Sequence, residues 1–258
     1  MKNKLRLLLL ALAGVACQSN ESTIFGVEPQ LNTYSDEAPA SQKLFCNSVN
    51  CENPGNQEIY TYSPAGQLIR MEQYARMASA KLEKVSYTDY QYSPTGQLSS
   101  KIHYSRYGND TRWVAYDESE YIYSDGVLSQ ERTYYNQHNP EQRLLTGQIE
   151  YTYQDGKKVA QAWFDANHIL TRRVVNEYSH TTLIRETWYG ANSTELRRFE
   201  HRFAGNRRQI SEFMPNTNEP LSLVEKAYDS QGRLTSEETK VNNPLLCSMQ
   251  AGVIRYIY

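Results

Sequence analysis

The residues able to do chemistry are scattered through this sequence. Its five histidines, His103, His138, His168, His180 and His201, show none of the HxH or HxxxH spacings that set two ligands on one metal. There is no GxSxG elbow, no glycine-rich phosphate loop and no Cys–His pairing. Carboxylates recur, with Glu72, Glu131, Glu186 and Glu237 at similar places beside Arg70, Arg132, Arg185 and Arg233. Glycoside hydrolysis needs two carboxylates flanking one bond. Carboxylates repeated beside arginines read instead as cross-strand ion pairs. The expectation is a non-enzyme with no catalytic, cofactor-binding or metal site.

Four cysteines remain to be placed: Cys17, Cys46, Cys51 and Cys247. Lys2, Lys4 and Arg6 precede an apolar stretch, Leu7 to Ala13, as in a secretory signal peptide. The stretch is too short to span a bilayer, which takes about 20 apolar residues. It runs through Ala13-Gly14-Val15-Ala16 into Cys17. That ending resembles the lipobox of bacterial lipoproteins, although Gly14 stands where leucine is commoner. The resemblance implies cleavage before Cys17, a diacylglycerol on its sulfur and a membrane partner through that anchor. Gln18 after the cysteine, in place of Asp, then implies the outer membrane or cell surface. An exported chain permits disulfides. Cys46 and Cys51 flank a short turn-like loop and form the candidate pair. Pairing of either with Cys247 would instead staple the two ends of the folded part, and one thiol is left over in each case. Three thiols with no nearby histidine lack a fourth ligand for zinc.

Residues 17–45 are polar and turn-rich and read as a flexible tether, leaving 46–258 as the folded domain. The net charge of −2 gives no basic footprint for nucleic acid. Tyrosine is abundant, at 21 residues against 6 phenylalanines. It favours strands and carries a polar tip suited to half-wet surfaces.

The domain is a tandem repeat. YTYSPAGQL begins at Tyr60, YQYSPTGQL at Tyr90, YIYSDGVL at Tyr121 and YTYQDGKKV at Tyr151, with weaker copies later. The anchor aromatics are Tyr62, Tyr92, Tyr123, Tyr153, Tyr178, Phe203 and Tyr228, spaced 30, 31, 30, 25, 25 and 25. A half-copy, RYIY, follows at residues 255–258. Pro-x-Gly and Asp-Gly between alternating runs signal hairpins. Counting loops of either two or three residues sets Tyr62 opposite Leu68, Tyr92 opposite Leu98, Tyr123 opposite Leu128, Tyr178 opposite Leu183 and Tyr228 opposite Leu234. Such cross-strand pairs stabilise a sheet by about 0.2–1 kcal/mol each. The expected fold is all-β, a long curved antiparallel meander of about 14 strands, which at that width cannot stay flat. Ile254, Tyr256 and Tyr258 alternate like the last strand of an outer-membrane barrel. Arg70, Lys101, Arg132 and Glu186 in mid-strand leave no lipid-facing apolar band for one.

AYDSQGRLTSEE at 227–238 resembles a YD repeat of the RHS kind, and the first two copies resemble it with Ser in place of Asp. The similarity covers about residues 57–240. It implies a β-strand shell, with no catalytic residue to carry over. The chain is most similar to short YD-repeat, RHS-like bacterial lipoproteins. The expected function is a non-catalytic envelope lipoprotein that binds a glycan or an envelope protein. The alternative is a passive shell element or a remnant of a toxin-casing array. Counting five residues past each leucine position reaches Gln73, His103, Thr133, Phe164 and Trp188. Phe164 and Trp188 are the candidate ligand contact, facing solvent about 10 Å apart across two strand spacings, with Trp163 and Tyr189 pointing inward.

Replacing Cys17 with serine is expected to release the protein from the membrane fraction or to leave it unprocessed. Unchanged membrane retention and processing, read by fractionation and mass, would contradict the anchor.

Overall fold

The computed structural model describes residues 40–46, 51, 54–76, 81–106, 111–136, 143–241 and 252–258. They form sixteen strands: β1 (Gln42–Cys46), β2 (Asn56–Tyr62), β3 (Leu68–Arg76), β4 (Leu82–Tyr92), β5 (Leu98–Ser105), β6 (Val114–Ser124), β7 (Val127–Tyr135), β8 (Leu144–Gln154), β9 (Lys157–Asp165), β10 (Leu170–Ser179), β11 (Thr182–Gly190), β12 (Glu195–Ala204), β13 (Arg207–Phe213), β14 (Ser222–Tyr228), β15 (Leu234–Val241) and β16 (Gly252–Ile257). Every strand pairs antiparallel with its sequence neighbours, and β1 pairs with β16, so the sheet is a closed barrel. The curved antiparallel meander of about 14 strands expected from the sequence thus has sixteen strands and closes on itself. Closure also moves the start of the folded part into the supposed tether, because Gln42 to Phe45 lie in β1.

The tight turns follow their residue types. In the first unit Ser63 N–H donates to Gln67 O at 2.8 Å, enclosing Pro64, Ala65 and Gly66, with Gly66 at φ +76°. Asp125 and Gly126 both take positive φ, as a two-residue hairpin turn requires. All five tyrosine–leucine pairs are present in the register. In the fourth and sixth units the leucine place is taken by Lys158, opposite Tyr153, and by Arg208, opposite Phe203.

One residue after the leucine place, six units carry a β-bulge: Ile69, Ser99, Ser129, Val159, Ile184 and Thr235 have no partner across the hairpin. Where the extra residue is Ser99, Ser129 or Thr235, its hydroxyl donates to a carbonyl of the facing strand, at 3.1, 3.0 and 3.0 Å. A bulge bends and twists the strand that carries it, which is what a sheet needs in order to close on itself. It also shifts the alternation. Arg70 faces out although Leu68 faces in, and Met71 and Gln73 face in.

The inward positions form three stacked layers. The first holds the aromatic–leucine pairs. The second holds Tyr60–Met71, Tyr90–Lys101, Tyr121–Glu131, Tyr151–Gln161, Asn176–Glu186, His201–Ile210, Lys226–Glu237 and Tyr256–Lys43. The third is polar on β2–β7, with Glu58, Gln73, Thr88, His103, Ser119 and Thr133. Around the rest of the ring it is largely apolar, with Ile149, Trp163, Val174, Trp188, Phe199, Val224, Ile254 and Phe45.

The last hairpin is split. Tyr256 pairs with Lys43 and Ile257 with Gln42, as Tyr60 pairs with Met71 and Thr61 with Arg70. Tyr62 Oη donates to Ala40 O at 3.0 Å, as Tyr92 Oη donates to Leu68 O at 2.9 Å and Tyr258 Oη to Leu234 O at 2.7 Å. Ala40 therefore stands in the leucine place, and β16 with β1 make an eighth unit from distant parts of the sequence. The barrel is eight two-strand units, and strand count falls short when RYIY is read without its partner.

Leu234, 3 % exposed, fills the first layer of the seventh unit. Leu234→Ala is expected to destabilise by about 2–4 kcal/mol, read as a drop in the denaturation midpoint. A change below about 1 kcal/mol would mean the layer is not packed as described.

Candidate functional site

Two groupings stand out: a charged network inside the barrel and an aromatic patch outside it. The inner network runs from the first layer, where Arg208 stands, through the second and third. Lys43, Glu58 and Glu237 are each 2 % exposed and Arg208 is 1 % exposed. Lys43 Nζ lies 3.8 Å from Glu58, which also accepts from Tyr60 Oη and, at 3.3 Å, from Gln73 Nε2. Lys226 Nζ lies 3.4 Å from Glu237, which accepts from Tyr256 Oη. His201 bridges two strands, donating from Nε2 to Glu186 at 3.1 Å and accepting at Nδ1 from Arg208 Nη2 at 2.9 Å. That arrangement is the neutral imidazole with its proton on Nε2. Arg197 donates to Glu212 at 3.0 Å, and Ser222 Oγ donates to the same carboxylate at 2.8 Å. In this arc Lys43, Lys226 and Arg197 meet Glu58, Glu237 and Glu212, and Arg208 is linked to Glu186 through His201. Burial without such partners would be prohibitive.

Burial governs the titrations. It pushes Glu212 up despite Ser222 and Arg197. It opposes ionisation of Glu237 too, but Lys226, Lys43 and Tyr256 outweigh it and hold that carboxyl below its usual value. Tyr90 is pushed up to about 12, chiefly by burial. Burial, with Lys101 nearby, lowers His103, and burial with the Arg208 and Lys226 charges lowers His201 against the pull of Glu186.

Porins of sixteen to eighteen strands keep an aqueous channel. Here Val174 is 0 % exposed, and Lys43, Glu58, Arg208 and Glu237 on the β10–β2 arc are no more than 2 % exposed. That arc does not line an open water-filled lumen. Outside, ion pairs run along the barrel wall. Arg70 holds Asp89 through two hydrogen bonds of 2.6 and 2.8 Å, Lys84 meets Glu72 at 2.8 Å, and Arg143 meets Glu120 at 2.8 Å. Arg185 meets Glu177 at 3.2 Å and Lys240 meets Glu225 at 2.9 Å. Exposed pairs of this kind stabilise little, about 0–1 kcal/mol. Among the described residues, these pairs interrupt any apolar band for lipid on the strands that carry them.

The outer patch sits on β3–β6. Tyr87 and Tyr104 stack with ring centroids 4.6 Å apart, and Trp113 meets Tyr87 edge-on at 5.2 Å. Arg70 lies 4.6 Å over Tyr87, Arg106 lies 4.2 Å over Trp113, and Lys84 lies 5.6 Å from both rings. Sequence reasoning missed this site. The signal was the alternation of Tyr87 with Ser86 and Thr88, both buried, which turns Tyr87 outward.

Phe164 and Trp188, the candidate ligand contact, do not share an outward face. Trp188 is 8 % exposed, faces inward and stacks on Trp163 at 5.8 Å with Arg172 beside both rings. Phe164 faces outward, half-buried and stacked on His168. The bulge after Leu183 inverts the count of five, so it lands inside. In the fourth unit the turn is Asp155-Gly156 with Tyr153 opposite Lys158, which makes Trp163 the equivalent of Trp188. Tyr189, expected inward, lies outward under Arg173. Glu131, Glu186 and Glu237 share one inward place, but their partners are Lys101, His201 and Lys226, and Glu72 faces outward. Cys46 and Cys51 are disulfide-bonded, with Cα atoms 5.0 Å apart. Cys17, His138 and Cys247 lie outside the described residues. Among the described residues no His, Cys, Asp and Glu side chains converge as metal ligands.

No family model and no curated protein matches the chain. Among solved structures, a porin-like protein from Bacteroides uniformis is 10% identical, with a TM-score of 0.37, over 84% of this chain and 96% of that one. A DUF3836 family protein from Bacteroides vulgatus is 14% identical, with a TM-score of 0.31, over 35% of this chain and 90% of that one. The TcdB2-TccC3-TEV structure is 11% identical, with a TM-score of 0.24, over 79% of this chain and 13% of that one. At these levels no activity transfers.

His103 and His201 stay neutral in the fold, while an unfolded chain takes up their protons below about pH 6.5. Stability is therefore expected to fall as pH drops from about 7 toward 5. His201→Gln, which keeps one donor and one acceptor, combined with His103→Gln should flatten that slope. An unchanged dependence of thermal midpoint on pH would refute the assignment.

Proposed function

We propose that the chain is a non-catalytic, lipid-anchored envelope protein, displayed in water at the outer membrane or cell surface, that holds a protein partner against the patch around Tyr87. The ion pairs along the outer wall carry this reading, since a wall of that kind belongs in solvent. The signal segment, the lipobox-like run before Cys17 and the YD-repeat resemblance support export, anchoring and surface habit. No cofactor and no nucleic acid enters it.

The patch supports a protein partner by composition. Tyrosine, tryptophan and arginine are the side chains that concentrate binding energy at protein interfaces. Tyr87, Tyr104, Trp113, Arg70 and Arg106 bring all three types together on one outer face. A glycan is the alternative ligand, although Arg70 and Tyr104 already pack against the Tyr87 ring. A passive spacer is the second reading, favoured by the enclosed, internally ion-paired arc.

Crosslinking on intact cells, followed by pull-down of the chain and of Trp113→Ala, tests the proposal. A partner captured by the unaltered chain should be lost from the variant while the thermal midpoint stays within a few degrees. A glycan-array signal abolished by the same variant would move the assignment to a glycan. Equal capture by both chains would remove the patch from the function and leave the spacer reading.

A further inference from the structure

On the outer wall an arginine commonly sits across from an acid. Arg70 lies opposite Asp89, and Arg185 lies between Glu177 and Glu200. One row departs from this. Arg207, Ala227, Ser236 and Arg255 are successive cross-strand neighbours on β13, β14, β15 and β16. They face outward, because Arg208, Lys226, Glu237 and Tyr256 next to them face inward. Across from Arg207 there is thus an alanine, and across from Arg255 a serine. Arg207 is exposed, and among the described residues no carboxylate pairs with it.

Two small side chains between two long ones leave a trough. The cleft there has a volume of about 320 Å³, and Glu225 and Glu238 also line it. That is the low end of the roughly 300–1,000 Å³ usual for small-molecule sites, so the occupant is about the size of one sugar ring. Arg207 and Arg255 stand three strand spacings apart, about 14 Å between Cα atoms. Guanidinium forks reaching over Ala227 and Ser236 from the two sides can converge on one oxyanion.

The acidic side of the cleft narrows the choice of ligand. Glu225 and Glu238 are cross-strand partners. Glu225 has both oxygens engaged, one by Lys240 and one by Gln209, each at 2.9 Å. Glu238 lies 3.9 Å from Lys240 with its side chain 42% exposed, and keeps capacity to accept hydrogen bonds. A phosphate dianion would gain the two arginines but meet two carboxylates across the cleft. A monocarboxylate that carries hydroxyls suits both sides. We propose that the cleft over Ala227 and Ser236 binds a hydroxylated monocarboxylate of sugar size, a uronate, with Arg207 and Arg255 on its carboxylate and Glu238 accepting from its hydroxyls. The site lies on β13–β16, apart from the Tyr87 patch on β3–β6, and does not depend on the role of that patch.

Ligand-observed NMR titration of the purified full-length chain with glucuronate, glucose and inorganic phosphate at neutral pH tests the site. Glucuronate is expected to bind with a Kd of about 1 mM, and glucose and phosphate at least about tenfold more weakly. Arg207→Gln and Arg255→Gln should each weaken glucuronate binding at least about tenfold, as loss of a charged hydrogen-bond donor does. Ala227→Leu fills the trough and leaves every charge in place, so it should abolish binding while the thermal midpoint stays within a few degrees. No binding of glucuronate at concentrations on the order of 10 mM overturns the proposal. So does equal binding of glucose, tighter binding of phosphate, or glucuronate binding that survives Ala227→Leu or Arg207→Gln.

Discussion

The bulged residue that follows the leucine place in six of the units is the constraint on which the rest of the barrel depends. In an unbroken strand, alternation would carry the leucine face onward through Arg70 and Glu72, and a wide sheet would set a charged stripe against its own interior. An extra residue at Ile69, Ser99, Ser129, Val159, Ile184 or Thr235 reverses the faces beyond it. A second set on the facing side, at Val85, Tyr116, Thr146, Thr171 and Leu196, does the same between units. Each bulge adds bend and twist. Repeated around the ring, they supply the curvature for closure. Closure in turn removes the edges that a long tyrosine-rich sheet would expose.

Closure also explains why so much charge sits inside. Eight units leave an interior too wide for aliphatic side chains alone to fill, and long polar residues occupy the second layer. They persist because each has a partner: Lys43 with Glu58, Lys226 with Glu237, His201 between Glu186 and Arg208. Replacing such a pair with apolar groups can be neutral for stability, whereas removing one member is severe. The network therefore specifies which strand lies beside which more than it adds free energy. Arg208 illustrates this. It stands in a leucine place, over the Phe203 ring, and reaches His201 on the neighbouring strand.

The local grammar of the fold was legible in the sequence. Turn residues and hairpin spacing set five tyrosine–leucine pairs in register, across loops of either two or three residues. Two things were not legible. A bulge has no signature of its own: Ser99 and Ile184 are ordinary strand residues, and only their missing partners mark them. One unseen residue, Ile184, sent Trp188 to the wrong face. The eighth unit was half visible as RYIY, but its other half, Ser41 to Cys46, keeps nothing of the repeat motif. Ala40 replaces the leucine and no Tyr-x-Tyr or turn residues accompany it, so only the pairing shows the equivalence.

The seam joins these threads. β1 closes the ring without a turn of its own, so its hold on the barrel rests on its pairing with β2 and β16. Seven units are each closed by a turn of two or three residues and can rezip locally. The eighth is closed by pairing alone, and its Lys43 is the cation that Glu58 needs. A load along the chain would accordingly be opposed by the buried Lys43–Glu58 contact and by the backbone bonds to Ile257, with the Cys46–Cys51 bond holding the next stretch of chain close to β1. The first strand of the barrel in sequence is thus also the strand that decides whether the ring is shut.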